Sequence, residues 1–154
     1  MEAYDPPQAL SLNVENPWFA GSSQIATFSR EEMLATKLRA LLQRDKGRDL
    51  FDLARALETF EGLKPGRVVE CLMLYLERSG TPISRAEAEQ RMFAKLARPR
   101  FLTDIRPLVS AQAAEGLNDE WTKEAFQKVF SNFIARMPGE SWALTKEMKA
   151  RFGI

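Results

Sequence analysis

The chain has 154 residues, of which 45% are hydrophobic, enough for one packed domain. Its 22 basic and 21 acidic residues leave a net charge of +1, so no global field draws it to nucleic acid or an anionic membrane, and any such binding must come from a local patch. With no histidine and one cysteine it lacks the usual general base, the histidine-based triads, the commonest zinc ligand and any intramolecular disulfide.

Asp5-Pro6-Pro7 predicts an extended or disordered lead over residues 1–8. Leu10, Leu12 and Val14 alternate with polar residues and predict a short half-buried strand, broken at Asn16-Pro17. Trp18-Phe19 reads as an apolar anchor, Gly21-Ser22-Ser23 as a turn, and Ile25 to Phe28 as a second short strand. Ser29 and Glu32 form a capping box that opens a helix, with Met33, Leu34, Leu38, Leu41 and Leu42 on one face and Lys37 at the edge of the apolar arc. Gly47 suits a left-handed residue ending that helix, which places Asp49 and Asp52 in the first turn of the next.

Pro65 suits the first turn of a third helix, about 64–79, whose Val68, Val69, Leu72, Met73, Tyr75 and Leu76 make it the centre of a bundle. Cys71 lies in that apolar run and reads as a buried, inert thiol. A second capping box, Ser84 with Glu87, opens a helix to about Ala97. Pro99 breaks it, and Phe101 to Val109 reads as a short helix interrupted by Pro107. Asn118 caps a helix carrying Trp121, Phe126, Val129, Phe130, Phe133 and Ile134, and Glu140 to Phe152 adds a terminal one. The expected fold is therefore mainly α: a bundle of about six helices over 29–154, after a lead of two short strands over 1–28. No apolar run approaches the roughly 20 residues of a membrane span, and the single cysteine fits a reducing cytoplasm.

Charge is concentrated in the stretch from Ser29 to Glu58. Leu34-Ala35-Thr36-Lys37, Leu38 to Arg44 and Lys46 to Leu53 (KGRDLFDL) place a lysine, an arginine and an R-D-x-x-D group at fixed offsets. This pattern resembles the signature of the AbiEii/AbiGii toxin family of nucleotidyltransferases, in the DNA polymerase beta-like superfamily, with weaker similarity from about Pro17 to about Pro138. The resemblance implies transfer of a nucleotide from an NTP to RNA, tRNA in the better-understood members, in abortive infection or a toxin–antitoxin pair. Carried over residue by residue, it assigns Asp49 and Asp52 to the catalytic pattern and Lys37, with Arg44 and Arg48, to the nucleotide's phosphates.

The superfamily's Gly-Ser turn and D-x-D pair, which hold two Mg²⁺ on the triphosphate for in-line displacement, have no match here. Gly21-Ser22 is followed by Glu31-Glu32, which point about 100° apart on a helix and make no metal site. The expectation is a truncated or C-terminal part of such an enzyme, its strands a remnant of the nucleotidyltransferase sheet. Alone it would be inactive and without cofactor, using NTP and Mg²⁺ only if a separate half supplied the carboxylates. The alternative is a non-catalytic module binding an antitoxin-like protein or RNA. Simpler readings stand beside these: acids in a first helical turn complement the dipole, Lys37 snorkels, Arg48 pairs with Asp52 at i,i+4, and the run Arg91, Lys95, Arg98, Arg100 and Arg106 against Asp104 is a solvated face.

Overall fold

A computed structural model describes residues 3–98, 101 and 104–154. Strands β1 (Gln8–Asn16) and β2 (Phe19–Thr27) form an antiparallel hairpin of nine unbroken pairs. Among the described residues seven α-helices follow: α1 (Arg30–Gln43), α2 (Gly47–Thr59), α3 (Pro65–Arg78), α4 (Arg85–Leu96), α5 (Ala111–Gly116), α6 (Asp119–Asn132) and α7 (Thr145–Phe152). The architecture is mainly α with a leading hairpin, as the periodicity predicts.

The strands run longer than alternation alone predicts, and the turn lies elsewhere. Pro17-Trp18 makes it, held by the Asn16 side chain, whose Oδ1 accepts from the N–H groups of Trp18 and Phe19 at 3.0 and 2.9 Å. Gly21-Ser22-Ser23 are interior to β2, and Trp18, 91% exposed at the tip, is not the apolar anchor expected among the described residues.

The lead is tied down. Glu32, fully buried on α1, accepts from the Tyr4 N–H at 2.7 Å, the Asp5 N–H at 3.0 Å and the Tyr75 hydroxyl at 2.6 Å. Asp5 pairs with Arg67 and accepts from the Ser29 hydroxyl, and these bonds hold its carboxyl below the usual range. Ser29 caps α1 as expected, its Oγ accepting from the Glu32 N–H, but the Glu32 carboxylate is spent on the lead instead of closing the box.

α1 packs chiefly on α3 and α2, and α2 on α6. Leu38, Leu41, Leu53, Val68, Cys71 and Leu72 are fully buried between them. Burial pushes the Cys71 thiol pKa up, so it stays protonated and inert. α3 ends where Gly80 turns left-handed at φ 64, and the Thr81 N–H closes on the Leu76 carbonyl. The same core continues around Phe93 of α4, whose ring centre lies 5.3 Å from Phe126, 5.5 Å from Phe130 and 6.2 Å from Trp142. The expected helix at Phe101 to Val109 falls partly outside the described residues; a 3-10 turn covers Arg106–Leu108. No helix among the described residues is long and apolar enough to cross a membrane.

Glu89 docks the C-terminal segment. Its buried carboxylate accepts from Arg85 Nε, the Ser141 and Thr145 hydroxyls and the Trp142 N–H. Burial alone would raise its pKa, but these four donors outweigh burial and hold it below the usual range. A carboxyl depressed in the fold stabilises it above the unfolded value of about 4.3 and ceases to do so as pH falls through the folded value. Urea midpoints are therefore expected to fall as pH drops below about 5, and Glu89→Gln to flatten that fall while lowering the midpoint at neutral pH. An unchanged acid slope in the variant would assign the acid sensitivity to other carboxyls.

Candidate nucleotide-facing site on the first two helices

α1 and α2 cross two charged rungs. Lys37 and Arg44 are seven residues apart and share a face of the α1 segment; Asp49 and Asp52 are three apart and share a face of α2. Lys37 Nζ lies 2.7 Å from Asp52 Oδ2, and Arg44 grips Asp49 with Nε and Nη2 each at 2.8 Å. Asp52 therefore pairs across the helices and not with Arg48, because its face of α2 turns toward α1. Arg48 is half-buried and makes no hydrogen bond or ion pair among the described residues.

The rungs differ in kind. Asp49 is wholly buried and both its oxygens go to the Arg44 fork, a closed structural pair. The side chains of Lys37 and Asp52 are 39% and 41% exposed, and such a pair contributes only about 0.2–1 kcal/mol. They line a groove of about 290 Å³ together with Met33, Leu34, Arg55 and Phe60. Its floor is apolar, and the Arg30 guanidinium covers one face of Phe60 at 5.0 Å.

The turn between the helices is clasped from outside. Lys95, buried on α4, reaches Asp45 at 2.6 Å and the Arg44 carbonyl at 2.8 Å; Arg98 also holds Asp45, and Arg91 donates to the Leu42 carbonyl. These contacts, Lys95 foremost, keep the Asp45 carboxyl below its usual range. Arg91 and Lys95 of α4 and Arg98 just beyond it thus form a structural clamp, while Arg100 lies outside the described residues. Gly47 is not the left-handed terminator expected. It is the first residue of α2, and its N–H donates to Asp104 Oδ1 at 2.9 Å, so a distant carboxylate caps the helix in place of a local side chain.

The carboxylates of this region each have a partner within the chain. Asp49 is consumed by Arg44, Asp52 is held by Lys37, Glu31 accepts from the Lys64 N–H, and Glu32 points inward. Among the described residues no group of three or more acidic or cysteine side chains converges on a point that could hold a metal ion. Arg55, Phe60, Lys95 and Asp104 were not legible as parts of this region, since none stands at motif spacing from Lys37.

No curated protein and no solved structure matches the chain. A sequence model of one family does, over residues 2–132, and its description is a nucleotidyl transferase, the AbiEii toxin, of a type IV toxin–antitoxin system. The match takes in the hairpin, both charged rungs and the clamp on α4, so the chain belongs to the AbiEii family of nucleotidyl transferase toxins.

Proposed function

We propose that the chain supplies the α1–α2 face of a nucleotidyltransferase that modifies RNA, with tRNA as the acceptor class, and that it transfers no nucleotide by itself. The observation behind this reading is the Lys37–Asp52 pair, half-exposed beside an apolar groove. A nucleotide's phosphates compete with Asp52 for the Lys37 ammonium, and the exchange is inexpensive because an exposed pair contributes only about 0.2–1 kcal/mol. Met33 and Phe60 offer the adjoining apolar surface to a base or ribose. Asp52 holds Lys37 in place until the phosphates arrive and is then the carboxylate nearest them. Asp49 and Arg44 act as positioning residues that fix α2 against α1, and Arg48 adds positive charge at the same end.

Family membership supports an antitoxin as a protein partner. The engagement of Asp49, Asp52, Glu31 and Glu32 supports a division of labour in which another polypeptide brings the carboxylates that hold Mg²⁺ and the NTP triphosphate. Purified chain incubated with labelled NTP, Mg²⁺ and total tRNA is expected to leave the RNA unlabelled. Labelling above that of Lys37→Ala would overturn the claim of inactivity.

NMR titration with an NTP tests the site itself. Shifts are expected to cluster at Lys37, Arg44 and Arg48, and Lys37→Met is expected to weaken binding about tenfold or more, the loss of a charge-assisted contact of about 1.5–3 kcal/mol. Stability should change by no more than about 1 kcal/mol, because the deleted pair is exposed. No shifts at millimolar NTP, or equal binding by Lys37→Met, would leave the pair a purely structural one.

A further inference from the structure

Of the cations on α1, Arg39 belongs to neither the groove nor the charged rungs. Its guanidinium lies over the Tyr75 ring at 5.5 Å and makes no hydrogen bond or ion pair among the described residues. The ring therefore holds the cation in place while its N–H donors stay unspent. It stands at a cavity of about 220 Å³ lined by Arg39, Tyr75, Arg78 and Ser79, with no acidic side chain in the wall. Arg78 has an interaction of its own and adds positive charge there, whereas the Ser79 hydroxyl is taken up by the Leu76 carbonyl and Thr81. A planar fork of donors beside a second guanidinium suits a phosphate oxyanion.

α1 connects this cavity to the groove. Arg39 and Lys37 stand about 160° apart around the helix axis, and Leu34, Leu38, Leu41 and Leu42 fill the buried side, so the two cations mark opposite edges of the outer face. Between those edges lie Thr36, Ala40 and Gln43, and from Met33 to Gln43 the helix carries no acid. We infer, on the RNA-modifying reading above, that this outer face carries the acceptor RNA as a single strand. One phosphate sits at Arg39, and the strand runs over Thr36 and Ala40 to the Lys37 groove. The edges are roughly 10–12 Å apart, about three nucleotides of a stacked strand rising about 3.4 Å per nucleotide. The Thr36 hydroxyl donates to the Met33 carbonyl and the Gln43 amide to Thr81, so the floor has little left to read a base edge, and binding follows charge and not sequence.

Fluorescence anisotropy of a short labelled oligouridine with the whole chain is expected to show binding that weakens as salt rises. Arg39→Gln, whose flat amide can keep its place over Tyr75, should leave the helical circular dichroism unchanged and weaken binding about tenfold, the loss of one charge-assisted contact. It should also flatten the slope of log affinity against log salt by about 0.7, the share of one phosphate on a single strand. Lys123→Gln, which removes an exposed charge on α6, should change neither. In the wild type, oligouridine should shift the Arg39 Nε–H resonance and the amides of Thr36 and Ala40, a readout that needs no variant. Binding that depends on Arg39 without any NTP-induced shift at Lys37 would overturn the nucleotide site and leave the RNA path standing. No binding of oligouridine, equal binding by Arg39→Gln, or shifts confined to other surfaces would each overturn the RNA path. Inorganic phosphate or polyglutamate held as tightly at equal charge would overturn it too, reducing the cavity to a receiver of any anion.

Discussion

Replacing Arg44 with alanine is expected to destabilise the chain by about 3 kcal/mol, at the lower end of what breaking a buried ion pair costs. Asp49 is wholly buried and both its oxygens accept from that one guanidinium, so the substitution leaves a carboxylate with no cation in a dry site. The Arg44 side chain is 45% exposed, so water follows the deletion inward and keeps the loss from the upper end. Arg44→Lys should recover only part, because an ammonium cannot make two parallel bonds to both oxygens. Asp49→Asn should cost less than Arg44→Ala, since it removes the buried charge along with its partner's role. In a double-mutant cycle the two losses should fall well short of adding. Chemical denaturation at neutral pH measures all four variants. Additive losses, or an Arg44→Ala penalty under about 0.5 kcal/mol, would mean that the fork contributes orientation without stability.

Local rules made much of the fold legible. The caps at Ser29, Ser84 and Asn118 are read from one residue and the N–H three positions on, and each forms as its spacing predicts. The central helix follows from the period of Val68, Val69, Leu72, Tyr75 and Leu76, all buried. What was not legible depends on partners far along the chain. Gly47 reads as a helix terminator because its context is short-range, whereas its N–H is satisfied by Asp104, 57 residues away. Lys95 looks like one more cation in a basic run, and only the fold brings it to Asp45 and the Arg44 carbonyl.

The candidate site divides the same way. The offsets from Lys37 through Arg44 to Asp49 and Asp52 single out four residues that the fold joins in two pairs. Which pair is sealed and which is open could not be read from them, since Asp49 and Asp52 look alike in sequence and differ only in burial. Arg48 and Asp52 stand at favourable i,i+4 spacing, yet such pairs contribute only about 0.3–0.5 kcal/mol and yield to a cross-helix lysine already held in place. At the hairpin, alternation is visible, but alternation predicts a buried face and is silent on whether this chain provides the cover.

Glu32→Ala is the substitution expected to separate the lead from the bundle, at about 3 kcal/mol. Glu32 is fully buried and gathers three donors, so its removal strands the Tyr75 hydroxyl and the N–H groups of Tyr4 and Asp5. Tyr75 is itself 2% exposed, so its hydroxyl has no solvent to turn to, and an orphaned buried donor costs about 1–3 kcal/mol. Burial, reinforced by the Glu32 contact, pushes the Tyr75 hydroxyl pKa well up, which keeps it a donor at every working pH. The two backbone donors lie nearer the surface and can be rehydrated once the lead lifts away, so they contribute less to the loss. Glu32→Gln should be milder, near 1–2 kcal/mol. Its amide oxygen can keep the Tyr4 and Tyr75 bonds made by Oε1, while its NH₂ group then faces the Asp5 N–H and loses only that one. Hydrogen exchange distinguishes the consequences: in Glu32→Ala the amides of Tyr4 and Asp5 should lose protection before α3 does, with Asp5 released from Arg67 as the lead detaches. Simultaneous loss across the lead and α3 would instead make Glu32 part of the core's cooperative unit, and unchanged protection at Tyr4 would show that the ring contact between Tyr4 and Tyr75, 4.9 Å between centres, holds the lead unaided.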